Sequence, residues 1–369
     1  MPTRVRSYSK INLGLVVGPA RADGFHALTT IYQTLHLHDF VTVTARLSAK
    51  TTILLTANHR GVPRSEAGNA ERNTAWKMVH KLLERLNITA AVEIFIDKRL
   101  PVQGGMGAGS ANAVAAMLGL ERELGVALPG PDRLELAAEV GSDVPLFLLG
   151  GTVLGVGRGE EVYPLPDSPG LACVVALPEV GVSTALAFQQ LDVRWNARRD
   201  ESARAGGSVA LTSTAPVDKL KELSRALAAV WSTTGVESGP SGIALMDRPG
   251  LIPGDLPSGE VSAMQRDVRG DLAENPLLAL VRTGIENDFE EVVFSQHPSL
   301  RSTKRDLMGS SSGSALYAAL SGSGSALFGL YESQADACAA QHRVQQSGTR
   351  AILTETLSRR DYWHTMFAE

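Results

Sequence analysis

The sequence predicts a chain of roughly two domains that mixes strands and helices. Two observations carry this expectation. The chain has 369 residues, 44% apolar and 20% charged, an ordinary globular composition that can bury a sizeable core without staples. Along it, short runs of strand-like alternation are interleaved with amphipathic helical stretches.

The elements follow in order. Val41, Val43, Ala45 and Leu47 alternate with polar or small neighbours, and so do Val92, Ile94 and Ile96, so both segments read as strands. Between them, Asn73 to Leu86 reads as a helix with Trp76, Val79, Leu82, Leu83 and Leu86 on one face. The glycine-rich GGMGAGS at 104–110 leads into a helix over 111–124, with Ser110 as its expected N-cap and Gly125 as its stop. A further helix is expected from about Asp132 to Val140, ended by Gly141. TVLGVG (152–157) and LACVVAL (171–177) read as strands. From about 192 to 274 the character changes. RWNARRDESARAGGS (194–208) reads as polar loop, 216–231 as an amphipathic helix, and 237–259 as a Gly/Pro-rich stretch, together a surface insertion. Asn275 to Gln296 is helical in pattern, and LSGSGSALFGLY (320–331) ends as a strand.

Bulk chemistry narrows the function classes. A formal net charge of −4, with only eight lysines among 35 basic residues and no long basic run, argues against nucleic acid as a partner. Cys173 and Cys338 form no CxxC pair, so neither a disulfide framework nor a zinc site is expected, and a reducing compartment fits. The start, MPTRVRSYSKINLGLVVG, has an apolar run broken by Lys10 and Asn12, unlike a signal peptide. No stretch approaches the roughly 18 apolar residues of a membrane helix. The expected location is the cytoplasm, with no membrane partner.

Three segments carry candidate chemistry. The first is the glycine-rich run at 104–110. Glycines let backbone N–H groups approach a phosphate closely, and the following helix N-terminus adds a favourable dipole. No Lys follows in the manner of a Walker A loop, and the spacing does not fit a dinucleotide fingerprint. Glycines alone would also suit a plain turn that starts a helix. The second is Lys10 and Asn12, two apart in an early strand and therefore on one face; a lone strand lysine is otherwise a solvated edge residue. The third is Asp143, ahead of an apolar run in GSDVPLFLLGG (141–151), either a helix cap or a carboxylate at the edge of a site.

Together the segments form an ordered pattern: Lys-Ile-Asn-Leu at 10–13, Asp-Gly-Phe-His-Ala-Leu at 23–28, Arg-Leu-Pro before the glycine loop, Gly-Ser-Asp-Val-Pro at 141–145 and Gly-x-Gly-x-Gly-Glu at 155–160. Glu-Asn-Asp-Phe-Glu (286–290), His297-Pro298 and Ser-Gly-Ser-Gly-Ser (321–325) agree. This pattern resembles the GHMP kinases, and within them the 4-diphosphocytidyl-2-C-methyl-D-erythritol kinase family, over about residues 4–192 and 275–331. The glycine loop and Ser-Gly-Ser-Gly mark only the superfamily; Lys-Ile-Asn and Asp-Gly-aromatic-His mark the branch.

The resemblance implies a two-lobed α+β fold: an N-terminal lobe of ribosomal-S5-like type over about 1–162, with a left-handed crossover, and a ferredoxin-like lobe over 163–369 that carries the 192–274 insertion. It implies transfer of the ATP γ-phosphoryl group to the 2-hydroxyl of the cytidyl-linked substrate. Asp143 would accept the hydroxyl proton and Lys10 would orient it. Asn12, Phe25 and His26 would hold the cytidine end and the diol. The phosphate loop would comprise Pro101, Val102, Gln103, Gly104, Gly105, Met106, Gly107, Ala108, Gly109, Ser110 and Ala111, with Lys98 and Asn112 near the nucleotide. Mg2+ would bridge the phosphates, with Ser110 as its protein ligand, and the protein would act as a monomer or weak homodimer. Four positions depart from the family pattern: Phe25 replaces Tyr, Gln103 and Ala108 replace Gly, and Ala111 replaces Ser. Rival readings are another GHMP kinase of homoserine, mevalonate or sugar type, an inactive GHMP-fold regulator, and a nucleotide-binding module without transfer activity. Lys-Ile-Asn with Asp-Gly-Phe-His opposes the first, and the intact Lys10 and Asp143 oppose the second.

Overall fold

A computed structural model describes residues 2–21, 24–102, 104–167, 170–204, 286–310 and 313–368. The expected helix at 216–231, the Gly/Pro-rich stretch at 237–259, residues 275–285 of the expected late helix, and Asp23 and Gln103 lie outside the described residues.

Two sheets organise the chain. The first holds β1 (Thr3–Ala20), β2 (His26–Leu47), β3 (Thr52–Ala57), β4 (Ala90–Asp97), β5 (Thr152–Val156) and β6 (Glu161–Pro164). β2 is the spine. Its first half pairs with β5 over Thr30–Gln33, its second half pairs with β4 over Phe40–Leu47, and β1 runs antiparallel along it. β3 and β4 are parallel, so a crossover must join them, and α1 (Thr74–Leu86) makes it. Asn73 caps α1 by accepting the Ala75 N–H at 2.9 Å, and Asn87 closes it at a positive φ of 53°. α1 buries Ala75, Met78, Val79, Leu82 and Leu83 against the sheet side of the lobe. α2 (Ala108–Leu124) is buried on nearly every side between α1 and the first two strands, which its run of Ala, Val, Leu and Gly permits. Gly119 is where it comes closest to β2: a Cβ there would lie 2.7 Å from Val43 Cγ2. α3 (Gly130–Val140) follows and stops at Gly141, as expected.

The second sheet holds β7 (Ala172–Leu177), β8 (Tyr317–Leu320), β9 (Leu327–Tyr331) and β10 (Arg350–Glu355) in the order β10-β7-β9-β8, all antiparallel. In chain order this is 4-1-3-2, the ferredoxin-like arrangement. Between β7 and β8 the described residues form α4 (Thr184–Arg204), α5 (Phe289–Gln296) and α6 (Pro298–Met308); α7 (Gln334–Gln346) joins β9 to β10. A short helix, α8 (Arg359–His364), and β11 (Phe367–Ala368) then return to the first lobe, where β11 pairs with β1. A boundary drawn at 162/163 therefore does not follow the packing at the end of the chain. Leu357, Tyr362 and Met366 belong to the first lobe's core.

Three sequence expectations need correction. Residues 194–204, read as polar loop, are the second half of α4; Arg, Ala and Glu are good helix formers, and polarity alone does not oppose a helix. Among the described residues the late helix begins at Phe289, because Asn287 bridges to β1: Leu15 N–H donates to Glu286 O and Asp288 N–H to Leu15 O. α2 begins at Ala108, two residues before the expected cap Ser110, because Gly107 at φ +67° already sets the turn.

The two sheets meet through a third buried cluster. Ile11, Leu13, Ile31 and Leu35 of the first sheet pack with Cys173, Val175, Phe328 and Leu330 of the second, and Met106 of the glycine loop is part of this cluster. The loop is thus anchored at the seam between the lobes. Among the described residues, no helix is long and apolar enough to cross a membrane.

Candidate active site

Lys10 and Asn12 sit on one face of β1, as their spacing predicts. The β1–β2 register shifts between Tyr8 and Ser9 and again between Asn12 and Gly14, so irregularities flank the pair on both sides. Such bulges re-aim side chains and are common beside active sites. Lys10 Nζ donates to Asn12 Oδ1 at 2.6 Å, and Asn12 Nδ2 donates to Thr30 Oγ1 at 2.8 Å. Thr30 in turn donates to Gly14 O at 2.7 Å. This chain of bonds locks a buried ammonium in one position.

Asp143 meets that ammonium. It follows Gly141 at the end of α3 and precedes a single 3-10 turn, Pro145–Leu148. Lys10 Nζ lies 3.3 Å from Asp143 Oδ2, and the Tyr32 hydroxyl donates to Asp143 Oδ1 at 3.0 Å. The Lys10 side chain is 3% exposed and that of Asp143 36%, so the cation is sealed while the carboxylate opens to solvent. The cap reading of Asp143 does not hold: no side chain caps the 3-10 turn. The chain's end buttresses this turn, with the Tyr362 hydroxyl donating to Phe147 O at 2.6 Å and Trp363 Nε1 donating to Leu149 O at 3.0 Å.

The glycine loop lies against the same ammonium. Gly104, Gly105 and Gly107 have φ of +143°, +75° and +67°, a region that glycine enters at little cost. A Cβ on Gly107 would lie 2.9 Å from Phe147 Cζ and 3.0 Å from Lys10 Cγ, so only glycine lets the loop reach the lysine. The loop's carbonyls are tied inward. Gly104 O accepts from Ala326 N–H, Gly105 O from Ser321 Oγ at 3.0 Å, and Met106 O from Lys10 N–H at 3.0 Å. In a trans peptide the C=O and the next N–H point in opposite directions. The N–H groups of Gly105, Met106 and Gly107 therefore point away from those partners, and the loop runs straight into the N-terminus of α2, whose first-turn N–H groups lack intrahelical partners. This is the donor set an anion needs.

The remaining candidate residues separate into groups. Ala108 is the first helical residue and needs no positive φ, so alanine fits there. Gly109 O accepts from Thr74 Oγ1 at 2.6 Å, which ties the starts of α1 and α2 together. Ser110 is half-buried in the first turn of α2, beside the loop. Ala111 is 2% exposed and faces the core, so a hydroxyl is absent from the packed side of the helix. Asn112 is buried and accepts from Ser7 Oγ at 2.6 Å. Pro101 and Val102 precede the loop, Val102 exposed. Lys98 is not brought to the loop's glycines by any bond in this structure. Its ammonium donates to Asp39 Oδ2 at 2.6 Å, and burial lowers its pKa.

His26 lies further along β2, next to α4. Its Nε2–H donates to Asp192 Oδ1 at 2.9 Å, and its ring stacks on Phe188 at 4.7 Å between centroids. Phe25 is 51% exposed with the Arg158 guanidinium 5.1 Å from its ring centre. The aromatic and acidic groups around His26 come from α4, and the guanidinium over Phe25 comes from the β5–β6 turn.

Sequence reasoning missed Tyr32, Phe188 and Asp192, and gave Asn287, within Glu-Asn-Asp-Phe-Glu, no role. Asn287 donates to Leu320 O and to Gly322 O, both at 2.8 Å, so Glu-Asn-Asp-Phe-Glu clips the Ser-Gly-Ser-Gly turn that backs the glycine loop. A usable signal existed for Tyr32, since a tyrosine in an apolar strand must find a partner for its hydroxyl.

A metal has a plausible donor set. Among the described residues, no group of three or more His, Cys, Asp or Glu side chains forms a dedicated cage. Magnesium at a nucleotide takes phosphate and water oxygens with few protein ligands, and a Ser or Thr hydroxyl in the first turn after a phosphate loop can be one of them, so Ser110 fits it.

Known proteins match this chain in both lobes. The profile described as GHMP kinases N terminal domain matches residues 73–151, and that described as GHMP kinases C terminal matches 269–350. A 4-diphosphocytidyl-2-C-methyl-D-erythritol kinase of Solibacter usitatus (strain Ellin6076) is 34% identical over 327 residues, 89% of this chain and 80% of the relative. One of the same name from Nocardia farcinica (strain IFM 10152) is 41% identical over 191 residues, 52% of this chain and 60% of the relative. Among solved structures, a 4-(cytidine 5'-diphospho)-2C-methyl-D-erythritol kinase superposes with a TM-score of 0.60 at 23% identity, covering 96% of this chain and 98% of the other. The L. major mevalonate kinase, solved with R-mevalonate, superposes with a TM-score of 0.61 at 15% identity, covering 96% of both chains. At these identities the superpositions speak for the two-lobed GHMP fold, and the Solibacter relative, aligned over most of both chains, decides the branch: this chain belongs to the 4-diphosphocytidyl-2-C-methyl-D-erythritol kinase family of the GHMP kinases.

Proposed function

We propose that the protein transfers the γ-phosphoryl group of ATP to the 2-hydroxyl of 4-diphosphocytidyl-2-C-methyl-D-erythritol, in the non-mevalonate supply of isoprenoid precursors. The observation that carries this is the contact between Gly107 and Lys10, because it sets an anion cradle beside an acid–base pair: the loop backbone lies against the side chain whose ammonium is 3.3 Å from Asp143.

The chemistry follows from that juxtaposition. The acceptor hydroxyl gives its proton to Asp143 as its oxygen bonds to the γ-phosphorus. The bond from that phosphorus to the β–γ bridging oxygen breaks, and ADP leaves with the electron pair. Phosphoryl transfer has a loose transition state, so orientation and fixed positive charge do most of the work. Lys10 supplies such a charge and, being bonded to Asn12, needs no reorganisation. The loop N–H groups hold the donor's phosphates. Magnesium, when bound, neutralises phosphate charge, and Ser110 would be its protein ligand. At the acceptor end, Phe25 offers an exposed ring face for a pyrimidine, and His26, oriented by Asp192, offers a ring nitrogen to a base edge.

The test is direct. Protein, ATP, magnesium and the cytidyl substrate should yield ADP and phosphorylated product, while homoserine and mevalonate should yield none. Asp143→Asn should lower kcat by about 10²- to 10⁴-fold, the usual contribution of a general base. ADP appearing only with homoserine or mevalonate would replace the acceptor. Folded protein that binds ATP and transfers to nothing would end the kinase reading.

A further inference from the structure

The family pattern includes Gly-x-Gly-x-Gly-Glu at 155–160, to which the reaction above assigns no task. The structure supplies a reason for two of its glycines. A Cβ on Gly155 would lie 2.5 Å from Tyr32 Cε2, and a Cβ on Gly159, at φ +102°, would lie 2.5 Å from the Tyr32 hydroxyl oxygen. The β5–β6 hairpin is therefore hollowed at both places to admit one tyrosine.

That tyrosine is 1% exposed and stands directly across the ladder from Asn12. Its ring centre lies 5.5 Å from Lys10 Nζ. Its hydroxyl has two acceptors within reach, Asp143 Oδ1 at 3.0 Å and Gly159 O at 3.5 Å, and a phenol has one proton to give. The shorter contact, to the charged group, takes it. Burial first, and then the neighbouring Asp143 charge, hold the phenol well above its ordinary pKa, so it stays a donor throughout the working range.

We infer that Tyr32 is a positioning residue for phosphoryl transfer, holding one oxygen of Asp143 while Lys10 holds the other, so that the carboxylate plane is set and its outward lone pairs face the acceptor hydroxyl. The inference rests on the kinase reading above. A hydrogen bond on one oxygen and an ion pair on the other fix a planar group that the ion pair alone would leave free to rotate about its χ2 bond. The fixed carboxylate meets the acceptor in a near-attack geometry more often, which raises kcat and leaves ground-state binding alone. Phenylalanine at this position would fill the same hollow and lose only the hydroxyl.

The experiment is a double-mutant cycle on the full chain with Tyr32→Phe, Asp143→Asn and the pair, assayed for product with ATP and the cytidyl substrate. Wild-type turnover comes first. If the wild type transfers to no acceptor, the kinase reading falls and takes this inference with it. With wild-type turnover in hand, Tyr32→Phe should lower kcat about 10- to 100-fold, the scale of one hydrogen bond to a charged group. Its KM for both substrates and its ATP affinity should stay within about twofold, which also reports a folded site. In the Asp143→Asn background the same change should have almost no effect, because the oxygen it positions no longer acts as base. A kcat within twofold of wild type would overturn the role. So would an equal fall in both backgrounds, or a loss of ATP affinity that accounts for the lost rate, since each marks a merely structural tyrosine.

Discussion

Two lysine–aspartate pairs lie in the first lobe, and they differ in one respect that decides what each does. Lys98 and Asp39 are 2.6 Å apart with side chains 4% and 0% exposed, whereas Lys10 and Asp143 are 3.3 Å apart with side chains 3% and 36% exposed. Asp39 is sealed from any ligand: it is fully buried and also accepts the N–H groups of Arg99 and Leu100, at 2.7 and 2.8 Å. That pair is a joint, fixing the chain where β4 ends and the approach to the glycine loop begins. Asp143 accepts from Tyr32, forms an ion pair with Lys10 and keeps an open side. The comparison teaches that residue types do not distinguish a structural ion pair from one proposed to be catalytic; the burial and exposure of the carboxylate do.

The comparison breaks first at the sealed pair. Asp39→Asn leaves a buried ammonium without a counter-charge and should cost about 3–5 kcal/mol, read as a lower urea midpoint. Below its melting range this variant should keep its ATP KM, and Lys98→Gln should likewise destabilise without weakening ATP. A rise of more than tenfold in ATP KM for Lys98→Gln would return that lysine to the nucleotide. Asp143→Asn should show the opposite phenotype, with lost rate and retained stability.

A smaller effect sharpens the open pair. Gly107→Ala forces an L-residue to φ +67° and drives a methyl against Lys10 and Phe147. The backbone strain should cost about 1–3 kcal/mol. ATP KM should rise about tenfold or more, with the KM for the acceptor little changed, and steady-state kinetics in each substrate checks this.

The smallest effect is expected at a third pair, which is fully wet. Lys81 and Glu139 are 2.7 Å apart with side chains 40% and 41% exposed, and Arg85 joins them at 2.6 Å. Glu139→Gln should cost no more than about 1 kcal/mol at low salt and less at high salt. The hydrogen bond from Lys81 and the charges around it lower the Glu139 pKa from 4.5. A depressed carboxyl stabilises the fold above its unfolded value, so the contribution should be present above about pH 4.5 and lost as pH falls through the lowered value. Melts of wild type and variant that converge in acid would show this.

Local order in the sequence determined much of this protein. The alternation in β2 and β4, the amphipathic face of α1, the stops at Gly125 and Gly141 and the one-face placement of Lys10 and Asn12 all follow from near-neighbour geometry, and near-neighbour geometry is written in the spacing of side chains. The glycine loop was legible for the same reason, since positive φ at 104, 105 and 107 calls for glycine wherever the loop lies. What the sequence could not reveal was which distant groups meet. Nothing in the order of residues says that Tyr32 reaches across to Asp143, that Gly155 and Gly159 are hollowed to admit it, that Asn287 clips the turn behind the phosphate loop, or that Tyr362 returns to brace the segment carrying Asp143. Those contacts join residues about 30 to more than 200 positions apart. They exist because two sheets close over one shared core, and that closure is a property of the whole chain.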